Sequence, residues 1–130
     1  MQRARSHSLF ALAGAIALAT LSCAHSREAR EPEASDTDVT LQVISHTFNV
    51  VDVYLYRGSA RRYLGTASGH SVSVFRIPWN DLAGTSRIAI VGKSIGDARR
   101  VSTGALQVNP GSLITWTLEH KLVRSTAIVH

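Results

Sequence analysis

From Val39 onward, apolar and polar residues alternate with a period of two. Val39, Leu41 and Val43 are interleaved with Thr40, Gln42 and Ile44. Val51, Val53 and Leu55 are interleaved with Asp52, Tyr54 and Tyr56, and Val72 and Val74 with Ser71, Ser73 and Phe75. Successive side chains of a strand point to opposite faces, so each run predicts a strand with one face in a core. In the third run the expected core face is Val72 and Val74. "RIAIVG" from Arg87, "ALQV" from Ala105, "LITWTLEH" from Leu113 and "LVRSTAIV" from Leu122 are rich in β-branched residues and bounded by turn signals, and predict the remaining strands. Trp116 is in phase with Ile114 and Leu118, which assigns it to the core. No amphipathic helix of about a dozen residues is legible after Val39. Seven or eight short strands predict an all-β domain, an antiparallel immunoglobulin-like or Greek-key β-sandwich.

The turns point the same way. "RGSA", Arg57 to Ala60, can close a hairpin with Gly58 at positive φ. "NPGS", Asn109 to Ser112, has Pro and Gly at the two central places of a type II turn. Residues 39–130 suffice for one domain with a modest core and are too few for two.

The pattern before Val39 is different. Arg3 and Arg5 precede an uncharged stretch from Ser8 to Ser22 built on Leu9, Phe10, Leu12, Ile16, Leu18 and Leu21, and the chain then turns polar. This is the layout of a secretory signal peptide, expected over residues 1–22. Leu9 to Leu21 is shorter than the roughly 18 apolar residues a membrane-spanning helix needs. Cys23, the only cysteine, follows directly. With Ser22 before it, the segment resembles the leader of bacterial lipoproteins, although Thr20 stands where their pattern usually has Leu. The resemblance implies that Cys23 carries a diacylglyceryl group and begins the mature chain, and that Ala24 after it directs the protein to the outer membrane. The alternative is signal peptidase cleavage after Ala24, since Ser22 and Ala24 form a small-x-small site. That cut removes the cysteine and leaves a soluble periplasmic protein.

Residues 24–38 contain Pro32 and no large apolar side chain, so residues 23–38 are expected to be a lipidated cysteine followed by a disordered spacer. The spacer carries two arginines against five carboxylates. The domain that follows carries ten basic residues against four acidic ones. The whole-chain net charge of +5 therefore conceals an acidic tether on a basic domain, an asymmetry that bears on partners and not on fold.

Residues 49–69, "NVVDVYLYRGSARRYLGTASG", resemble secreted bacterial β-sandwich domains of unknown function that carry a Val-Asp-Val-Tyr strand followed by a glycine turn. The resemblance implies an extracytoplasmic sandwich and brings no catalytic residue.

Catalytic motifs are fragmentary. "GHSVS", Gly69 to Ser73, lacks the last glycine and the helix of a nucleophile elbow, so Ser71 is read as part of a loop entering a strand. "GKS", Gly92 to Ser94, has Arg87 where a phosphate-binding loop needs glycine, and is read as a turn. His46, His70, His120 and His130 do not pair at zinc-ligand spacing, and the domain has no cysteine to join them. Asp52, Asp81, Asp97 and Glu119 form no carboxylate pair. We expect no catalytic residue, no metal, no cofactor and no enzymatic activity.

The cluster that stands out is Tyr54, Tyr56, Arg57, Arg61, Arg62 and Tyr63 around the expected hairpin, joined by Trp79 as an exposed aromatic. Arginine grips carboxylate or phosphate bidentately and tyrosine can cover a ligand. Arginines near a hairpin tip also serve to keep a sheet edge from pairing with another chain. The function expected is a lipid-anchored, non-enzymatic interaction or assembly module of the cell envelope. Its partners would be the membrane through Cys23 and an envelope protein or anionic envelope polymer, with no nucleic acid. The alternative is a soluble periplasmic domain that binds a sugar or small anion.

Overall fold

The computed structural model describes residues 33–82 and 84–130. The expected signal peptide, Cys23 and the expected spacer up to residue 32 lie outside the described residues.

Eight strands follow in chain order: β1 (Val39–Ser45), β2 (Val51–Arg57), β3 (Ala60–Ala67), β4 (Val72–Ile77), β5 (Arg87–Ser94), β6 (Arg100–Gln107), β7 (Leu113–Leu118) and β8 (Ser125–Val129). One 3-10 turn, Trp79–Leu82, lies between β4 and β5. Sheet I has the order β4-β1-β7-β8 and sheet II the order β3-β2-β5-β6, and the two pack face to face as a β-sandwich. The chain changes sheet at β1–β2, β3–β4, β4–β5 and β6–β7. Five of the six pairings are antiparallel. The exception is β1 with β7, which run parallel with Val43 opposite Trp116. The chain passes through five other strands between them, the long crossover that a parallel pair needs.

The core forms where the two-residue periods meet. Val39, Leu41 and Val43 from β1, Val51, Val53 and Leu55 from β2, Ile88 and Ile90 from β5, and Ile114, Trp116 and Leu118 from β7 are all buried. Each such side chain contributes about 1.5–3 kcal/mol on leaving water. The indole of Trp116 has room because β5 carries Gly92 opposite it. A Cβ on Gly92 would stand 2.7 Å from Val51 Cγ1 and 3.0 Å from Trp116 Cη2.

Sheet I corrects one expectation. Val72 and Val74 point to solvent, 56% and 60% exposed, while Ser73, Phe75 and Ile77 face inward. The pairing with β1 decides this, because Ser73, Phe75 and Ile77 stand opposite the buried Val43, Leu41 and Val39. The larger Phe75 and Ile77 occupy the core side, and Gly65 leaves space for the Phe75 ring.

Both anticipated turns are present. Gly58 has φ 59, as a two-residue hairpin between β2 and β3 requires. In the Asn109–Ser112 turn Gly111 has φ 78, and the Ser112 amide donates to the Asn109 carbonyl at 3.0 Å. "GKS" is not a turn: all three of its residues belong to β5. The end of the spacer is also ordered. The Asp38 amide donates to the Ser35 carbonyl, and the Gly111 amide donates to the Thr37 carbonyl, each at 2.9 Å. Burial is not what holds this segment, since Ser35 to Thr37 are exposed; a local backbone turn and the single Gly111–Thr37 hydrogen bond to the β6–β7 turn do.

Candidate functional site: a basic, tyrosine-bearing sheet face

The outer face of sheet II follows from the registers. Tyr54 lies between Tyr63 on β3 and Val91 on β5, Tyr56 lies between Arg61 and Ala89, and Asp52 lies between Thr66 and Lys93. Lys93 stands opposite Arg100 on β6, and Arg87 opposite Gln107. Three tyrosines and four cations, Arg61, Arg87, Lys93 and Arg100, therefore share one face with a single carboxylate, Asp52. Val53, Leu55, Ile88 and Ile90 supply the opposite, buried face of the same strands, so packing fixes which way the tyrosines point.

Local contacts order this face. The Tyr54 and Tyr63 rings lie 5.4 Å apart, tilted by 54°. The Arg61 guanidinium lies over the Tyr54 ring, 5.4 Å from its centroid. That distance is within the range of cation–π attraction, which holds the arginine over the ring. The Tyr63 hydroxyl is 2.7 Å from Thr66 Oγ1, and Thr66 donates to Asp52 at 3.2 Å. The one acidic side chain of the face is thus engaged from within. A β-bulge between Val53 and Tyr54, opposite Gly65 with φ 148, sets Tyr63 beside Tyr54.

The sequence cluster divides. Tyr54, Tyr56, Arg61 and Tyr63 come together on the face. Arg57 and Arg62 do not: Arg57 Nη1 donates to the Asp81 carbonyl and Arg62 forms an ion pair with the Asp81 carboxylate, which ties the hairpin to the 3-10 turn. Trp79 is half-buried and packs against the core, so it is not an exposed aromatic. Pro78 and the 3-10 turn fold the indole inward, and Leu82, three residues on, is fully buried. Sequence reading missed Arg87, Lys93 and Arg100, which lie 24 or more residues beyond Tyr63. Only the β2–β5–β6 pairing brings them beside the tyrosines.

Elsewhere, Ser71 Oγ donates to the Ser68 carbonyl at 2.8 Å, a contact within its own loop. An open hollow of about 500 Å³ is lined by Asp52, by Lys93 and Ser94 at the end of β5, and by the β5–β6 loop from Ile95 to Ala98. In that loop Asp97 is held below the ordinary carboxylate range, first by the Arg99 amide at 3.0 Å and further by the Arg99 guanidinium at 3.5 Å. His46, His70 and His120, far apart in sequence, meet at one end of the sandwich.

No protein-family profile matches this chain, and no curated protein matches it. Among solved structures, it is similar to the NMR structure of a protein from Eubacterium rectale, at 12% identity and a TM-score of 0.47, over 74% of this chain and 93% of that one.

Proposed function

We propose that this protein is a lipid-anchored, non-enzymatic interaction module of the bacterial cell envelope, tethered through Cys23 and docking an anionic partner on the outer face of sheet II. The observation that supports this reading is the convergence of Tyr54, Tyr56, Tyr63, Arg61, Arg87, Lys93 and Arg100 on one face whose only carboxylate is already hydrogen-bonded. Guanidinium groups bind carboxylate or phosphate in a fixed fork, and tyrosine rings add contact area at low entropic cost. The partner is an acidic envelope protein or an anionic envelope polymer. The tether keeps it within reach: the spacer spans some tens of ångströms on the coil estimate of about 5–6 Å times the square root of its length.

The test is recovery of crosslinked partners from the envelope fraction by the wild-type chain and by the Arg61→Glu, Lys93→Glu double variant. The wild type should enrich an acidic partner that the double variant loses. Equal recovery by both would remove sheet II as the docking face.

A further inference from the structure

The strand registers place the β1–β2, β3–β4, β5–β6 and β7–β8 loops at one end of the sandwich, opposite the β2–β3 hairpin. The two most exposed large apolar side chains among the described residues stand there, Phe48 at 82% and Val123 at 77%, with Ile95 also exposed. Each of the first two directly follows a buried residue, Thr47 or Leu122. Among the described residues, two non-glycines hold positive φ, Leu122 at 52° and His70 at 48°. At Leu122 this conformation sinks one apolar residue into the core and leaves the next in water. At His70 it sets the imidazole edge-on against Phe48, with ring centroids 4.1 Å apart and planes at 71°. Gly69 permits that approach, because a Cβ there would stand 2.5 Å from the Phe48 carbonyl oxygen. Backbone strain of this kind concentrates at functional sites. The loops are also tied together. The His70 amide donates to the Thr47 carbonyl at 3.0 Å, the Ile95 amide to the Val50 carbonyl at 2.9 Å, and Arg99 Nη1 to the Lys121 carbonyl at 3.3 Å. These bonds fix the loop backbones, so the apolar tips stay turned out.

We propose that this loop end docks on an anionic lipid bilayer, with Phe48, Val123 and Ile95 entering the headgroup–acyl boundary and Lys121 and Arg124 meeting headgroup phosphates. The contact is independent of Cys23 and of the sheet II face. Exposed apolar groups rimmed by polar residues mark interaction surfaces. Here they are single tips on three separate loops, an arrangement that suits a fluid lipid surface, where side chains insert one by one. Binding at such a surface grows with the apolar area buried and with attraction to anionic lipids. The tips supply the first. For the second, Lys121, Val123 and Arg124 line an open hollow of about 570 Å³ with Glu119 and His120, so a phosphate entering it meets two cations beside an apolar tip. Of the carboxylates at this end, Asp97 is engaged by the Arg99 amide at 3.0 Å and by Asn49 Nδ2 at 3.3 Å, and Glu119 is outnumbered by the two cations of the hollow.

The experiment is NMR of the full chain carrying Cys23→Ser, which removes any lipid anchor, in phosphatidylcholine–phosphatidylglycerol bicelles doped with a spin-labelled lipid. The resonances of Phe48, Ile95 and Val123 should broaden, while those of Tyr56 on the sheet II face and Gly58 at the far hairpin keep their width. Phe48→Ser should lower occupancy of the bilayer by the loop end roughly 10-fold, read from the broadening at Ile95 and Val123, because most of the transfer gain of one large apolar side chain is lost. Val74→Ser, at an exposed valine of sheet I, should leave the broadening unchanged. Broadening strongest on the sheet II face, or equal at Ile95 with and without Phe48→Ser, would overturn the docking surface. The broadening pattern of the chain with its loops intact decides the point even where a loop variant does not fold.

Discussion

At the scale of single residues, this sandwich is governed by where a side chain is missing as much as by where one is present. Gly92 exists because Trp116 fills the layer opposite it. Gly92→Ala should therefore cost about 1–3 kcal/mol by overpacking, measured by urea unfolding. The cost should be smaller in a Trp116→Phe background, which withdraws the outer indole ring from the added methyl. Equal cost in both backgrounds would mean that Val51, and not the indole, sets the limit. Trp116→Ala should cost about 3–5 kcal/mol, the range for emptying a large core position. Asp97 gives a pH-dependent case. Its pKa is depressed in the folded state, first by the Arg99 amide, so its contribution to loop order is complete above the ordinary carboxylate pKa of 3.8 and is lost as pH falls through the lower folded value. The Arg99 amide resonance should follow that titration with a midpoint below 3.8. A midpoint at or above 3.8 would show that the contact is absent in solution.

At the scale of elements, the β2–β3 hairpin separates arginines that sequence treats alike. Arg61 lies over the Tyr54 ring on the outer face, whereas Arg57 and Arg62 hold the Asp81 turn. Exposed ion pairs are worth about 0–1 kcal/mol, so Arg62→Ala should shift stability by less than that and leave partner recovery intact. Arg61→Ala should reduce partner recovery with little change in stability. The reverse pattern would place docking on the Asp81 side of the hairpin. The hairpin itself, its glycine turn and the Asn109–Ser112 turn were legible in the sequence, because two-residue periods and turn chemistry are local signals. The inward face of β4 was not. Valine alternation on one side competed with Ser73, Phe75 and Ile77 on the other, and the choice was made by β1, thirty-odd residues upstream, through cross-strand pairing. Trp79 departs from the expectation for a related reason: a residue after proline in a loop gives no local sign of the core it packs against.

At the scale of the whole molecule, the all-β class followed from periodicity, and the parallel β1–β7 pair did not, because nothing in either strand encodes the direction of a distant neighbour. The candidate site shows the same division. The sequence located the tyrosines and Arg61, while Arg87, Lys93 and Arg100 joined them only through sheet II pairing. The histidine end was invisible at sequence level, since its members come from three separate loops. The molecule thus carries distinct chemistries, a basic aromatic sheet face and an imidazole-bearing loop end, on a domain whose acidic spacer reaches it at the hairpin end beside the Asn109–Ser112 turn. The proposed envelope role rests on processing at Cys23, and the most direct test is the intact mass and N-terminal peptide of the protein extracted from the membrane fraction of its native host. The account predicts a chain that starts at Cys23 and carries added diacylglyceryl mass. An unmodified chain starting at His25 and recovered from the soluble fraction would contradict it.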